Sequence, residues 1–335
     1  MRRSWFARAG LLWGALIVLL VIGADSGLGA ARPAIVLKFA TVGLESTYYA
    51  PIIFAIKKGY FAQEGLSLEE PRLSDPDLVR AVAAGAVPFG IPEAGAAITA
   101  AERGAAVVVV AGITDRYPYD LMVKPEYRTI ADLKGKTLSI WSTAPGVALT
   151  LMKRVLAQGG LREGDYNIVA GGNSSARYAA LVAGRIDGTI ITTPHNTLAK
   201  KAGFRSLAQL HSIPALFAAL IANRNWVQRN EEVMVAWLRA AVRGYRYVTA
   251  ERNRAEVITV LAEEFKADRE VIEADYQQIY RDETYIVSHD LIPSYRSIQG
   301  VIEILKEINL VPMDATPAKY FDLRYVNRAV REVGR

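Results

Sequence analysis

From residue 35 onward, short apolar runs alternate with amphipathic segments. The runs 35–42 and 107–111 have the apolar, β-branched composition that is typical of buried strands. Between them, the segment after Ser74 carries apolar residues at helical spacing and ends at Gly85, which predicts a capped helix. Strands that alternate with helices in this way pair mainly in parallel, so the pattern predicts an α/β fold.

The same pattern returns in the middle of the chain and predicts a second lobe. A predicted strand at 137–140 is followed by a predicted helix at 147–158. The segments 81–87 (AVAAGAV) and 180–186 (ALVAGRI) resemble each other, since each predicts the end of a helix, a turn on glycine and the start of a strand. After residue 222 the pattern is helical.

No polar linker separates the two predicted lobes. A chain that leaves the first lobe near Arg116, builds the second and returns near Phe217 would have a discontinuous lobe I and a continuous lobe II. Two crossing segments of this kind form a hinge about which lobes can close. The predicted boundaries are 32–117 and 216–335 for lobe I, and 118–215 for lobe II.

The first 31 residues have the pattern of a secretory signal peptide. Arginines at the start precede an apolar run at 9–23, and small residues at 26–31 provide a cleavage site. The apolar run has 15 residues, fewer than the ~20 that cross a bilayer, so a permanent anchor is the less favoured alternative. Arg2 and Arg3 leave open whether export follows the general secretory or the twin-arginine route.

Composition excludes several classes of protein and site. The chain has 335 residues, 51% hydrophobic and 22% charged, which is enough apolar material for large cores and excludes intrinsic disorder. It contains no cysteine, which excludes disulfides, thiolate metal sites, cysteine nucleophiles and the lipid-bearing N-terminal cysteine of a bacterial lipoprotein. Its three histidines are far apart in sequence, so no histidine-built metal site is expected. No cofactor is expected either. The net charge of +6 is spread without a basic stripe, so no nucleic-acid partner is expected.

The glycine-rich segments do not match known catalytic motifs. Gly135-Lys136-Thr137 ends like a phosphate-binding loop, but that motif requires glycine at position 130, where the chain has isoleucine. The segment 171–175 (GGNSS) matches neither the G-x-S-x-G nucleophile elbow nor the G-x-G-x-x-G dinucleotide fingerprint. The sequence therefore favours binding over catalysis.

Four segments together resemble one family of transport proteins. They are 49–66, which contains YAPIIFA, KGYF and EGL, 130–137 (IADLKGKT), 180–187 (ALVAGRID) and 321–326 (FDLRYV). In this order they resemble the periplasmic substrate-binding proteins that serve sulfonate, nitrate, taurine and thiamine-pyrimidine ABC importers. The resemblance covers nearly all of the chain after the predicted signal peptide. Pro88 departs from it, because the family often has an acidic residue at that turn.

The resemblance implies a two-lobed type II periplasmic binding protein fold, in which each lobe is a mainly parallel sheet flanked by helices. It implies a monomeric, non-enzymatic receptor that closes on a small organic molecule and delivers it to an ABC permease and its ATPase. The signal peptide and the missing cysteine imply a periplasmic protein that is not a lipoprotein. Two alternatives remain open. One is an exported sensory or scaffold module without an importer, and the less favoured one is an enzyme similar to a pyrimidine-precursor synthase, a family that depends on a cysteine-rich motif.

Candidate ligand-binding residues lie in the loops that follow the predicted strands, where helix N-termini offer free N–H groups. Hydroxyl and amide side chains suit a polar head group, and aromatic rings suit an apolar body. The candidates are Ser46, Thr47, Tyr48, Glu93, Ala94, Thr114, Arg116, Trp141, Ser142, Thr143, Asn173, Ser174, Thr193 and His195. The hydroxyl and amide residues among them could instead be helix caps only.

Arg116 is the candidate with a charge that suits a carboxylate or sulfonate ligand. Its alternative is an ion pair with a carboxylate of the chain: Asp115, Asp120 or Glu93. The net positive charge and the helix N-termini favour an organic anion as the ligand. A neutral heterocycle such as a pyrimidine is the alternative, because hydroxyl and backbone donors suit it equally well.

Overall fold

The computed structural model describes residues 34–281 and 286–334. The predicted signal peptide, residues 1–31, lies outside this part of the chain and stays a prediction. No helix of the described residues is both long and apolar enough to span a bilayer.

The strands of the described residues build two separate sheets. They are β1 (Ile35–Thr41), β2 (Leu66–Glu69), β3 (Phe89–Ile91), β4 (Val107–Gly112), β5 (Asp120–Val123), β6 (Thr137–Ile140), β7 (Asn167–Ala170), β8 (Gly188–Ile191), β9 (Arg205–Gln209) and β10 (Ala219–Asn223). The order in the first sheet is β2-β1-β3-β10-β4, and the order in the second is β7-β6-β8-β5-β9.

One strand in each sheet runs against the other four. β1 pairs in parallel with β2 and β3, whereas β10 lies antiparallel between β3 and β4. In the same way β6 pairs in parallel with β7 and β8, and β5 lies antiparallel between β8 and β9. Each lobe is therefore built on a mixed, mainly parallel sheet, and the predicted two-lobed α/β fold is confirmed.

Helices follow most of the strands and flank both sheets. They are α1 (Ala50–Lys57), α2 (Tyr60–Gln63), α3 (Asp75–Ala83), α4 (Ala94–Glu102), α5 (Val147–Gln158), α6 (Ser174–Val182), α7 (His195–Lys201), α8 (Arg224–Arg229), α9 (Glu231–Thr249), α10 (Arg254–Phe265), α11 (Arg269–Tyr280), α12 (Tyr295–Glu307), α13 (Pro317–Tyr320) and α14 (Arg324–Val333). A 3-10 turn, Thr47–Tyr49, joins β1 to α1.

The chain passes between the two sheets twice, at 113–119 and at 210–218. These two crossing segments lie side by side. The N–H of Phe217 donates to the carbonyl oxygen of Thr114 at 3.0 Å, and Arg116 pairs with Pro214 in an isolated antiparallel bridge. The predicted lobe boundaries fall within the crossing segments and stay a prediction.

Trp237 of α9 lies at the centre of the apolar core beside the first sheet. Its ring centroid is 5.1 Å from that of Phe39, 5.4 Å from that of Phe61 and 5.5 Å from that of Phe89. The indole is fully buried, so this aromatic cluster joins α9 and α2 to the strands β1 and β3.

The close contact between α9 and α1 requires glycine at position 244. A Cβ at this position would lie 2.1 Å from the carbonyl oxygen of Pro51, nearer than any real contact. Because Gly244 leaves that space free, α1 packs tightly along α9. This packing holds α1 and the Thr47–Tyr49 turn in front of the first sheet.

Candidate functional site

A cavity of about 1380 Å³ lies between the two lobes. It is lined by the loops that follow β1 and β3 in lobe I, and β6, β7 and β8 in lobe II. Eight of the predicted residues line this cleft: Ser46, Tyr48, Glu93, Trp141, Ser142, Asn173, Ser174 and His195.

Six predicted residues do not line the cleft: Thr47, Ala94, Thr114, Arg116, Thr143 and Thr193. The N–H of Ala94 is used within lobe I, where it donates to the carbonyl oxygen of Phe217 at 2.6 Å. The hydroxyl oxygen of Thr114 accepts a hydrogen bond from the N–H of Ala218 at 3.0 Å. Thr143 is exposed in the loop before α5. Several groups that their sequence position made candidates for ligand binding are therefore already bonded within the protein.

Arg116 braces the two crossing segments and does not face the cleft. Its Nη1 donates to the carbonyl oxygen of His211 at 2.9 Å and to that of Ser212 at 3.3 Å. The antiparallel bridge to Pro214 brings the side chain to these carbonyls. Neither the predicted ligand contact nor the alternative ion pair with a carboxylate is supported by this geometry.

Aromatic rings form one wall of the cleft. Tyr119 and Phe217, from the two crossing segments, lie 5.3 Å apart with their rings nearly perpendicular. Trp141, after β6, lies 5.0 Å from Tyr119, and Tyr48 lies 6.1 Å from Phe217. All four line the cavity, so they offer flat apolar surfaces to a ring-shaped ligand.

Two carboxyl groups stand in the lobe I wall of the cleft. Oε1 of Glu93 accepts a hydrogen bond from the hydroxyl of Tyr117 at 2.7 Å. Oδ1 of Asp75 accepts one from the backbone N–H of Glu93, also at 2.7 Å. Both side chains line the cavity. Within the described ranges, no three or more histidine, aspartate or glutamate side chains are grouped so that they could hold a metal ion.

Burial, with a smaller contribution from the Asp75 carboxylate, raises the pKa of Glu93 to about 7. Hydrogen bonds from Tyr117, from the backbone N–H of Ala148 and from Trp141 act in the opposite direction. Burial also raises the pKa of Asp75. Near neutral pH the Glu93 carboxyl is therefore able to donate a hydrogen bond when protonated and to accept when ionised.

Arg177 of α6 places a positive charge behind the lobe II wall. The residue is 1% exposed, and its Nε and Nη2 donate to the carbonyl oxygen of Ile190 at 3.1 and 3.0 Å. Nη1 donates to the carbonyl oxygen of Gly172, and Nη2 also donates to Oγ of Ser174 at 3.2 Å. Four of its five N–H groups are thus engaged by the protein. Burial lowers the pKa of Arg177 to about 10, so it stays charged at neutral pH.

Two buried polar atoms in the lobe II wall have no hydrogen-bond partner among the described residues. They are Oγ1 of Thr192 and Nδ1 of His195, and both residues line the cleft. Burial lowers the pKa of His195, which favours the neutral imidazole. Because a buried polar atom without a partner costs free energy, a ligand with polar atoms on that edge would stabilise this wall.

Three residues that line the cleft were not predicted from the sequence: Asp75, Arg177 and Phe217. Asp75 is the first residue of α3 and Arg177 lies inside α6, which are positions typical of exposed helix residues. Gly171 lies against this part of the wall. A Cβ at position 171 would lie 2.2 Å from Oγ of Ser139 and 2.9 Å from Cγ of Arg177, so the glycine leaves room for both side chains.

Comparison with known proteins identifies relatives of the chain. A family model described as NMT1/THI5 like matches residues 46–255. The formylaminopyrimidine-binding protein of Halalkalibacterium halodurans is 29% identical over 220 residues. That match covers 62% of this chain, and the chain spans 64% of the length of this curated relative.

Solved structures share the fold. The alkanesulfonate-binding protein SsuA of Xanthomonas axonopodis pv. citri, bound to MOPS, has a TM-score of 0.68 at 21% identity, covering 86% of this chain and 98% of its own. The periplasmic nitrate-binding protein NrtA of Synechocystis PCC 6803 has a TM-score of 0.72 at 13% identity, covering 90% of this chain and 89% of its own. The desulfurization enzyme DSZB also shares it, with a TM-score of 0.63 at 11% identity over 89% of this chain and 99% of its own. The resemblance inferred from the sequence motifs is confirmed, and the fold by itself is compatible with binding and with catalysis.

Proposed function

The chain belongs to the NMT1/THI5-like family, and from this we propose that it is the solute-binding component of an ABC importer for a flat, amino-substituted heterocycle of the pyrimidine type. The ligand would lie in the cleft between the lobes and pass from there to a membrane permease. The observation that carries the proposal is the Glu93 carboxyl beside the aromatic wall of the cleft.

An aminopyrimidine edge presents a ring nitrogen that accepts and an amino group that donates. A protonated carboxyl matches this edge with two parallel hydrogen bonds, one donated and one accepted. Glu93 can supply that form, because burial raises its pKa to about 7. Stacking against Trp141 or Tyr119 would hold the ring, and the unpartnered Thr192 hydroxyl would bind its opposite edge. The formylaminopyrimidine-binding relative agrees with this ligand class.

The organic anion expected from the sequence is the second candidate. Arg177 supports it, because a buried guanidinium beside the cleft attracts negative charge. Two features make an organic anion less favoured than an amino-substituted heterocycle. Four of the guanidinium N–H groups already bond to the protein, and the carboxyl groups of Asp75 and Glu93 stand on the opposite wall.

The proposal includes the compartment and partners that the sequence predicts. Removal of residues 1–31 during export would release the protein to the periplasm, and the absence of cysteine in the chain agrees with a protein that carries no lipid anchor. The partners would be an ABC permease and its ATPase, with the receptor acting as a monomer. An exported sensory or scaffold module of the same fold is the alternative, and it would bind the ligand without a permease.

A ligand panel tests the ligand class. We expect formylaminopyrimidine to raise the melting temperature of the purified protein, since a ligand at 100 times its dissociation constant adds about 2.7 kcal/mol of stability. Ethanesulfonate and nitrate at the same concentration should leave it unchanged. Differential scanning fluorimetry followed by titration calorimetry measures both. Stabilisation by ethanesulfonate alone would select the anion as the ligand.

The same sample separates binding from catalysis. A binding protein should return formylaminopyrimidine chemically unchanged after a long incubation, as measured by mass spectrometry of the small molecule. Conversion of the ligand would assign an enzymatic role and overturn the receptor proposal.

Replacing Arg116 by alanine should change ligand affinity by no more than about twofold, equal to about 0.4 kcal/mol, because its guanidinium bonds to backbone carbonyls outside the cleft. Calorimetric titration with formylaminopyrimidine measures this, with ethanesulfonate as the anionic comparison. A selective loss of ethanesulfonate binding would restore Arg116 as a residue that recognises anions.

A further inference from the structure

The carboxyl of Asp275, in α11, is bonded to a hydroxyl from each lobe. Thr47, in the turn after β1, donates its hydroxyl to Oδ2 at 3.1 Å. Thr197, in α7 of the second lobe, donates to Oδ1 at 2.5 Å. Asp275 and Thr47 have no exposed surface. One buried side chain therefore ties the two halves of the molecule together.

The two hydrogen bonds to Asp275 lie at the base of both cleft walls. Thr47 lies between Ser46 and Tyr48, which line the cleft, and Thr197 is two residues after His195, which lines it from the other side. Next to the tie, Oγ of Ser46 and Oγ1 of Thr193 share a hydrogen bond of 3.1 Å across the lobes. Asp275 itself does not line the cavity. Its effect on a ligand must therefore pass through the residues that it holds.

We propose that Asp275 is a positioning residue that holds the two lobes closed over the ligand, and that closing the cleft takes up a proton at its carboxyl. The proposal rests on the proposed function in one respect, namely that the ligand is bound between closed lobes. It extends that function by making the closed state, and thus ligand capture, depend on pH.

The sign of the pH effect follows from burial. Burial raises the pKa of Asp275 to about 7, while the hydroxyls of Thr197 and Thr47 and the ammonium of Lys200 act to lower it. The carboxylate of Asp120 acts to raise it. In an open form the carboxyl would be exposed to water, with a pKa of ~3.9. The closed form therefore binds this proton more tightly, so closure is favoured as the pH falls through 7 and is weakened as it rises above 7.

The arrangement of the Asp275 carboxyl and the two threonine hydroxyls suits a protonated carboxyl. A carboxyl donates one hydrogen bond and accepts others, and a threonine hydroxyl can act as donor or acceptor. Both threonines therefore stay bonded to Asp275 after protonation, without the cost of a buried charge. For one such group, the ratio of closed to open molecules should rise about tenfold between about pH 8 and about pH 6.

Distance measurements between the lobes test the proposal without a ligand. The chain has no cysteine, so cysteines introduced at the exposed positions Val36 in β1 and Val182 in α6 would carry the only spin labels. Double electron–electron resonance then reports the closed and open populations at about pH 6 and about pH 8. Without a substitution at Asp275, the closed population should increase at the lower pH.

Three variants in the labelled protein identify the group responsible. Asp275→Asn keeps the shape and is neutral, so we expect it to stay closed at both pH values. Thr197→Val removes the lobe II hydroxyl alone and should open the protein at the lower pH. Glu273→Gln is the matched control on the same helix, because Glu273 pairs with Arg254 of the neighbouring α10, and its populations should follow those of the parent. The buried carboxyls of Asp75 and Glu93 are unchanged in every variant, so differences between variants isolate Asp275.

Identical distance distributions for the parent, Asp275→Asn and Thr197→Val at both pH values would overturn the proposal. Equal pH dependence in the parent and Asp275→Asn would also overturn it and would assign the proton to the cleft carboxyls. Because no ligand is added, these outcomes are independent of the ligand panel. If formylaminopyrimidine does not stabilise the protein, the proposed ligand changes, but the expected distances between the spin labels do not.

Discussion

Replacing Glu93 by alanine should weaken the binding of formylaminopyrimidine about 10- to 100-fold. The variant removes the protonated carboxyl that we assign to the amino-heterocycle edge, and its two neutral hydrogen bonds together contribute about 1–3 kcal/mol. Alanine also leaves the Tyr117 hydroxyl without its 2.7 Å partner, which lowers the stability of the protein with or without ligand. Calorimetric titration at about neutral pH measures the change.

Glu93→Gln is the matched control for charge and shape. Its amide can donate one hydrogen bond and accept another, as the protonated carboxyl does, so most of the affinity should remain. Equal affinity in the parent and Glu93→Ala would contradict the assignment of Glu93 to the ligand. Equal loss in both variants would instead indicate that Glu93 binds the ligand as a carboxylate, and would point to a ligand that donates two hydrogen bonds.

Replacing Trp237 by alanine should destabilise the protein by about 3–5 kcal/mol, the range for removing a large buried aromatic side chain. The indole packs against three phenylalanine rings at 5.1–5.5 Å, so its loss leaves a cavity bounded by two strands and two helices. Urea unfolding followed by circular dichroism measures the change in the free energy of unfolding.

Trp237→Phe is the comparison that separates volume from polarity. The indole N–H has no hydrogen-bond partner among the described residues. Phenylalanine removes this buried donor and keeps most of the ring contacts, so its cost should be well below that of alanine. Equal costs for the two variants would show that the packing around the ring is not what stabilises the first lobe.

The local features of the fold could be predicted because short stretches of sequence determine them. Ser74 is the N-cap of α3, where its Oγ accepts a hydrogen bond from the N–H of Asp77. Asn173 is the N-cap of α6, where its Oδ1 accepts one from the N–H of Ala176 at 2.9 Å. Capping of this kind needs only neighbouring residues, so spacing along the chain reveals it. The α/β class followed from the same local patterns.

The cleft was predicted only in part, because its chemistry depends on contacts between distant segments. Arg116 was expected to face a ligand, but its direction depends on Pro214, far along the chain. Asp275 was not a candidate, since its role requires Thr47 and Thr197 to meet at one helix. The pattern of a single helix gives no sign of such a meeting. Residues that line a loop at a strand end were predicted better, as Glu93 and Trp141 illustrate.

The position of β10 imposes an order on the folding of the chain. β10 lies between β3 and β4, so the first sheet is incomplete until residues 219–223 have been added. The strands of the second sheet all come from the continuous stretch 120–209. Because the chain is synthesised from its N-terminus, the sheet of lobe I begins first and is completed after the sheet of lobe II. During that interval the edges of β3 and β4 that β10 will cover are unpaired, and a chaperone or a second unfolded chain would attach there.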